Sequence, residues 1–432
     1  MKTYVCGRSG LPVRSTEEVR LWAKSRDPGA IDASTLSGAH AIVEAVRSEG
    51  DSALRRFGEL FDGRSPGDPL ILDRGMLDAA LQKIDVRQRV VLERVRDRIA
   101  HFASAQRASI TDIDVPVPGG YARQRVMPLG AAGCYAPGGR YPLPSSVLMT
   151  AVTARVAGVA NVIVASPRPT DLTLAAASLA GVDAVLAAGG AQAIAAMAYG
   201  TESVARCDVV VGPGNRWVTA AKRLVAGQVR IDMLAGPSEL LLIADASADP
   251  RRAAADLLAQ AEHDDDAVPM LMVTDASMLL AIGGAMDELL ATLSTRTTAE
   301  RAMEGGFAVV VDDIDEAAAL SDLIAPEHLQ LSIDHAELLR DRFTRYGGLF
   351  AGEDAAEVLG DYGAGPNHTL PTGGSARYTG GLSVLDFLAV RTTLSILHPD
   401  AARGVAEDAA ALADMEGLSA HCAAALLRMP AG

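Results

Sequence analysis

Aromatic residues make up only 4% of this 432-residue chain, and there are only eight histidines and four cysteines. So few Phe, Trp and Tyr side chains exclude a stacking platform for unpaired bases. A formal net charge of −15 opposes nonspecific binding to nucleic acid or anionic lipid, so an anionic cofactor needs local donors. The most apolar region, residues 172–199, is cut by Asp183 and by Gly189-Gly190, and reads as buried α/β elements with no membrane span. Met1-Lys2-Thr3-Tyr4-Val5-Cys6-Gly7 is not followed by the apolar stretch of a secretory signal, so a cytoplasmic site is expected. Cys6, Cys134, Cys207 and Cys422 have neither paired spacing nor framework density and read as reduced thiols.

What is present is Ala, Val, Leu and Gly, which suit close packing of helices on sheets. A chain of 432 residues exceeds what one core serves, so at least two packed domains are expected. The first 110 residues read as mainly helical. Ile42, Val43, Val46, Leu54 and Phe57 recur at helical spacing, with Gly50-Asp51 separating two helices, and residues 87–105 give another amphipathic stretch. Residues 111–128 read as irregular or short strands, punctuated by Pro116, Pro118 and Gly119-Gly120. From about residue 128 short apolar runs alternate with Ala-rich helical stretches. The runs are 162–165, 184–186 and 209–211, then 240–243, 270–273 and 308–311. That rhythm predicts parallel sheets covered on both faces. The expected fold class is α/β: two Rossmann-like α/β domains with helical N-terminal and C-terminal segments. The expected boundaries are 1–110, 111–238, 239–378 and 379–432; no internal sequence repeat is visible.

Four of the eight histidines fall in short polar segments: Gln260-Ala261-Glu262-His263, Pro326-Glu327-His328, Gly365-Pro366-Asn367-His368 and Glu416-Gly417-Leu418-Ser419-Ala420-His421. Gly360-Asp361-Tyr362 adds a carboxylate. Concentrating proton carriers and metal ligands in one part of a histidine-poor chain marks a candidate active site. Gln260 and His263 lie three apart on a helix expected to begin at Asp249 or Pro250, so both can face one ion. With Asp361 and His421 they make a set of two nitrogens and two oxygens, suited to Zn²⁺, Mn²⁺ or a similar divalent ion. The plainer alternative is that Gln260 and His263 hydrogen-bond across a domain junction. At Pro326 the expectation is an interrupted helix that exposes Glu327 and His328 at a loop, where they divide acid/base work between them. The alternative there is a helix-turn Glu beside a surface His. Gly212-Pro213-Gly214-Asn215 and Gly189-Gly190-Ala191-Gln192 each follow an apolar run and open a helix. On neighbouring strands two such turns would form a crevice at the sheet's C-terminal edge, although each alone is equally a plain strand-to-helix turn.

Taken together, these segments resemble the L-histidinol dehydrogenase family. The resemblance rests on Leu258-Ala259-Gln260-Ala261-Glu262-His263, Ala325-Pro326-Glu327-His328-Leu329, Gly360-Asp361-Tyr362, Gly365-Pro366-Asn367-His368-Thr369-Leu370-Pro371-Thr372 and Glu416–His421. Tyr135-Ala136-Pro137-Gly138-Gly139, Gly189–Ala193, Gly212–Asn215 and Ala235-Gly236-Pro237-Ser238-Glu239 match it too, in order, over about residues 35–428. The resemblance implies a zinc-dependent homodimer that oxidises histidinol through histidinaldehyde to histidine with two NAD⁺. It implies Gln260, His263, Asp361 and His421 as metal ligands, also in contact with substrate, and Glu327 and His328 as the acid/base pair, with His328 touching substrate. Ser238, His368 and Glu416 correspond to further substrate contacts, and Tyr135, Gln192 and Asn215 to NAD contacts. The NAD side then belongs to 111–238, the metal and acid/base residues to 239–378, and the dimer-contacting segment to 379–432, so that Glu416 and His421 complete the partner's site.

Other readings stay open. Family paralogues oxidise other small alcohols such as sulfonated diols, and Arg140, in Gly139-Arg140-Tyr141-Pro142, is either a surface residue or an anchor for such an anion. Ala389 stands where the family pattern leads one to expect a basic residue. A metal-dependent hydrolase also uses two histidines, an aspartate and a Glu-His pair, but has no need of a dinucleotide crevice.

Overall fold

The computed structural model describes residues 10–27, 30–138 and 142–429. Cys6 and Arg140, with its neighbours Gly139 and Tyr141, lie outside the described residues. The apolar runs become strands because β-branched and Leu side chains covered on both faces leave the backbone to pair laterally. In chain order the strands are β1 (Val13–Arg14), β2 (Ile71–Asp73), β3 (Ile113–Val117), β4 (Gly120–Pro128), β5 (Ala131–Tyr135), β6 (Asn161–Ala165), β7 (Ala184–Leu186) and β8 (Val209–Val211). There follow β9 (Arg230–Ile231), β10 (Glu239–Ala244), β11 (Val268–Val273), β12 (Phe307–Val310), β13 (His328–Ser332), β14 (Gly348–Ala351) and β15 (Leu388–Ile396).

They form two six-stranded sheets, ordered β2-β7-β6-β5-β8-β9 and β1-β12-β11-β10-β13-β14. All pairings within them are parallel except β2 with β7. Both sheets follow one path: the chain starts at a central strand (β5, β10), steps outward twice, and returns to the centre's other side (β8, β13). The sequence carries no visible repeat, yet the topology repeats. Buried helices cover the sheets. Helix Pro144–Ala157 is apolar on nearly every face, and helix Gly190–Tyr199 likewise. No helix among the described residues is long and apolar enough to cross a membrane.

The segment before residue 110 does not stand apart from the sheets. Its helices fall as the spacing predicts, at Ala33–Glu49 and Asp51–Asp62 with Gly50 at φ +58° between them. However, β1 extends the second sheet and β2 the first, and edge strands of two or three residues are too short to show an alternation. The C-terminal segment is mostly helical, as expected, and adds one strand. Its nine-residue β15 pairs antiparallel with β4, which turns back from β3 at Gly119 (φ +76°), so residues 111–128 are an ordered hairpin. Helices Arg403–Met415 and Ser419–Leu426 follow and pack chiefly on each other, as an arm. Cys134 and Cys207 are buried free thiols whose pKa values burial pushes up to about 12; Cys422 is a free thiol on the arm.

The first sheet reverses its strand order between β5 and β8, where open α/β sheets leave a ligand crevice. Gly212 follows β8 there at φ +110°, and a Cβ on it would lie 2.1 Å from the Tyr135 carbonyl oxygen. Its N–H donates to Asp232 Oδ2 (2.7 Å) and its C=O accepts from Lys222 Nζ (2.6 Å), while Lys222 pairs with Asp232 Oδ1 at 2.5 Å. Both charged side chains are buried. Lys222→Met should therefore lower unfolding free energy by about 3–5 kcal/mol, because it strands the Asp232 charge. Urea denaturation checks this, and a loss below about 1 kcal/mol would show the pair to be dispensable.

Candidate active site

The second sheet reverses its order between β10 and β13, and its candidate residues lie at the amino ends of those strands, with Leu240 registered on His328. Helix Ile314–Ile324 ends at Ala325 in a left-handed conformation (φ +49°), and the chain turns through Pro326 straight into β13. Glu327 and His328 are therefore not exposed on a loop, as their sequence context suggests. They are 7% and 2% exposed, in the floor of the site. The reason is that the chain leaves the turn as a central strand covered on both faces.

Glu327 Oε2 accepts from Ser238 Oγ (2.7 Å) and from the Glu239 N–H (2.8 Å). His328 Nδ1 lies 3.0 Å from the Glu239 carbonyl, which fixes the Nδ1–H tautomer, and 3.5 Å from both Glu327 Oε2 and Glu357 Oε1. Nε2 is 3.5 Å from Asp361 Oδ1 and buried without a hydrogen-bond partner, so it is the nitrogen left to exchange protons. Burial opposes a charge on His328, but the Glu357 and Glu327 carboxylates outweigh it and raise its pKa well above the ordinary value. Beneath the pair, the Arg26 guanidinium meets the Glu239 carboxylate, both almost wholly buried, and also donates to Ile324 O (2.6 Å).

The candidate metal residues come from two helices. Pro250–Ala261 is capped by Asp249, whose side chain accepts from Arg251 N (2.8 Å), with Pro250 at its first position as expected. Gln260 is fully buried and neither amide atom has a partner, which excludes the expectation that it simply hydrogen-bonds across a junction. His263 Nε2 stands 3.6 Å from Asp361 Oδ2. On the short helix Glu357–Asp361, residues four apart share a face, and Glu357 is 4% exposed with both oxygens unpartnered. Ligand atoms of His263, Glu357 and Asp361 all lie within 4.8 Å of one another. Burial, added to by Asp361, Glu327 and Asp256, pushes the Glu357 carboxyl up to about 8 against the pull of His328. Orphaned oxygens and an orphaned amide beside an imidazole fit a divalent cation: each such buried group otherwise costs about 1–3 kcal/mol.

His368 Nδ1 is 2.9 Å from the Asp361 carbonyl, and burial holds its pKa below the ordinary value. Neighbouring Asn367 donates to Met149 O (2.8 Å), tying this loop to helix Pro144–Ala157 of the first sheet. Glu416 and His421 are not brought to the others within the chain. Both are exposed on the arm, and His421 is absent from the group of close ligand atoms. Tyr135 OH accepts from Gly190 N (3.1 Å), Gln192 Nε2 donates to buried Asp62 (3.3 Å), and the exposed Asn215 caps helix Arg216–Val225 through Trp217 N (3.0 Å). The two glycine turns do not follow neighbouring strands, as a crevice between them would require: β6 and β5 separate β7 from β8. Tyr135, at the end of β5, links them instead, with its hydroxyl on Gly190 and its carbonyl against Gly212.

Glu357, Arg26 and Asp62 stand outside the sequence motifs, and Glu239 stands in one without a role assigned to it. Glu357 had a signal, its i, i+4 spacing from Asp361; Arg26 and Asp62 reach the site only through tertiary packing.

A family model described as "Histidinol dehydrogenase" matches residues 27–429. This chain belongs to the histidinol dehydrogenase family. It is 46% identical over 389 residues to the "Histidinol dehydrogenase" of Thermus thermophilus, covering 90% of this chain and 93% of that one. It is 44% identical over 398 residues to that of Pseudomonas fluorescens, covering 90% and 89%. The crystal structure of histidinol dehydrogenase from Elizabethkingia anophelis superposes with a TM-score of 0.89 at 31% identity, covering 99% of this chain and 98% of that one. The protein is thus an NAD-dependent, metal-binding dehydrogenase of small alcohols and aldehydes.

Arg26→Met should strand the buried Glu239 charge and cost about 3–5 kcal/mol of stability. Because Glu239 holds both Glu327 and His328 through its main chain, kcat should fall about tenfold or more while bound metal stays unchanged. A variant with lowered stability and full kcat would separate the ion pair from catalysis.

Proposed function

We propose that this enzyme oxidises L-histidinol through L-histidinaldehyde to L-histidine, using two NAD⁺ and one Zn²⁺ or Mn²⁺ per site, as a homodimer whose arms complete each other's sites. The observation that carries this reading is the buried Glu327–His328 pair, 3.5 Å apart, beside the unsatisfied Gln260 amide and Glu357 carboxylate and the clustered ligand atoms of His263, Glu357 and Asp361.

In the first oxidation the substrate hydroxyl must lose a proton as hydride leaves its carbon. His328 Nε2 accepts that proton when the ring is neutral, with Nδ1–H held on the Glu239 carbonyl. The second oxidation needs water added to the aldehyde, and Glu327, aimed by Ser238 and the Glu239 N–H, orients and deprotonates that water. Gln260, His263, Asp361 and the partner's His421 would hold the metal, which would supply Lewis-acid anchoring for the substrate's nitrogens. His368 lines the same site, and Glu416 meets the substrate ammonium from the partner's arm. Tyr135 ends β5 and Asn215 follows β8 at the first sheet's switch point, with Gln192 on the helix after β7, and together they would contact the dinucleotide.

The dimer reading is supported by the arm's exposed Glu416 and His421 and by the apolar surface around them. Met415 and Leu427 on the arm, and Ile113, Val115, Val390 and Leu394 on its sheet, are all exposed. Ala389 pairs with Met127 in that sheet. NADH formation at 340 nm with histidinol, other amino alcohols and sulfonated diols tests the substrate; turnover of a sulfonated diol in preference to histidinol would overturn the assignment.

If His421 acts across the interface, mixing inactive His263→Ala and His421→Ala proteins should restore activity after subunit exchange. One site of each heterodimer then carries neither lesion, so about a quarter of all sites should recover on random pairing of symmetric dimers. Exchanged heterodimers without activity would place both residues in one subunit's site.

Glu327→Gln keeps size but removes basicity, so the aldehyde step should suffer more than the alcohol step. In single turnover that variant should form about one NADH per site and retain aldehyde, where the parent forms about two. Equal losses with alcohol and aldehyde supplied separately would reject this division of labour.

A further inference from the structure

Building on the metal-dependent reading above, we propose that Glu357 ligates the metal in the substrate-free enzyme and yields its position when the substrate's nitrogens bind. Glu357 and Asp361 project from one turn of the helix Glu357–Asp361 toward His263 at the end of the helix carrying Gln260. Both Glu357 oxygens and Gln260 Oε1 are buried with no hydrogen-bond partner, so three oxygens of the kind that ligate a divalent cation make no hydrogen bond within the protein. The Glu357 backbone is held in place independently: its N–H donates to Gln330 Oε1 (3.2 Å), and Gln330 Nε2 donates to Asp256 Oδ2 (2.6 Å). Glu357, Asp361, Glu327 and Asp256 crowd carboxyl groups into a site whose nearest bases are His263, His328 and His368, a charge arrangement that a divalent cation offsets.

Coordination number supplies the exchange. Zn²⁺ or Mn²⁺ takes at most about six donors here. Gln260, His263, Asp361 and the partner's His421 leave two positions, the number that a substrate chelating through imidazole and amine requires. Glu357 takes one of those positions only while substrate is absent. Its displaced carboxylate already has a second partner, since Oε1 lies 3.5 Å from His328 Nδ1.

The test is zinc affinity of the full-length protein, titrated against a competing chromogenic chelator without NAD⁺, so that no turnover occurs. Without substrate, Glu357→Gln should bind zinc about 10–100-fold more weakly than the parent. With saturating histidinol the gap should shrink to about threefold or less, because substrate then fills the same position in both proteins. Visible absorption of the Co²⁺-loaded proteins reads the ligand set directly, even if the variant is less stable. The Glu357→Gln and parent spectra should differ without histidinol and coincide with it. A gap that persists undiminished with histidinol makes Glu357 a permanent or structural residue and overturns the exchange. Equal affinities and spectra without histidinol remove Glu357 from the ligand set while leaving the proposed function intact. A parent protein that holds no zinc overturns both readings, and one that holds zinc but shows no spectral response to histidinol overturns the substrate assignment and the exchange together.

Discussion

The main chain of Glu239 touches both halves of the proposed acid/base pair: its N–H donates to Glu327 Oε2 and its carbonyl lies on His328 Nδ1. Two consequences follow from this one residue. The carboxylate is aimed by two donors, and the imidazole is fixed in the tautomer that leaves Nε2 to carry protons. The arrangement exists because β10 and β13, far apart in sequence, are neighbours at the second sheet's switch point, which puts Glu239 beside His328. The Glu239 side chain in turn needs Arg26, at the end of the first helix, to balance its buried charge. A chain of contacts thus runs from the N-terminal helix to the proton-transfer groups.

Balancing charge in a dry interior also shapes the first sheet. Lys222 and Asp232 clamp the Gly212 peptide from both sides, and buried Asp62 accepts from Gly189 N–H (3.0 Å) and the Gln192 amide. Burial raises the Asp62 pKa against these donors. Each of the two glycine turns is therefore held by a charged group, with Tyr135 joining the two.

The repeated topology places the two kinds of chemistry at opposite strand ends. Glycine turns follow the carboxyl ends of β7 and β8, whereas Ser238, Glu327 and His328 sit at the amino ends of β10 and β13. The loop holding Asn367 and His368 spans between them, with Asn367 anchored on a helix of the first sheet. On the proposed function, hydride transfer requires the two clusters to face each other, and that loop is one of the ties between them.

Much of this was legible from residues alone. The apolar runs predicted every central strand of both sheets apart from β5 and β13, Gly50 separated its two helices, Asp249-Pro250 started the helix of Gln260 and His263, and the ordered motifs pointed to the family. The sequence alone determined local backbone preferences and which chemical groups are available, because periodicity, caps and glycine turns act over a few residues. Only the tertiary structure decided that Glu327 and His328 are buried, that Glu357 joins the metal residues, that Arg26 and Asp62 support groups hundreds or scores of residues away, and that His421 stands apart on an arm. Those facts depend on which strands become neighbours and which charges lose water together, and such long-range pairing and desolvation leave no mark on any short stretch of sequence.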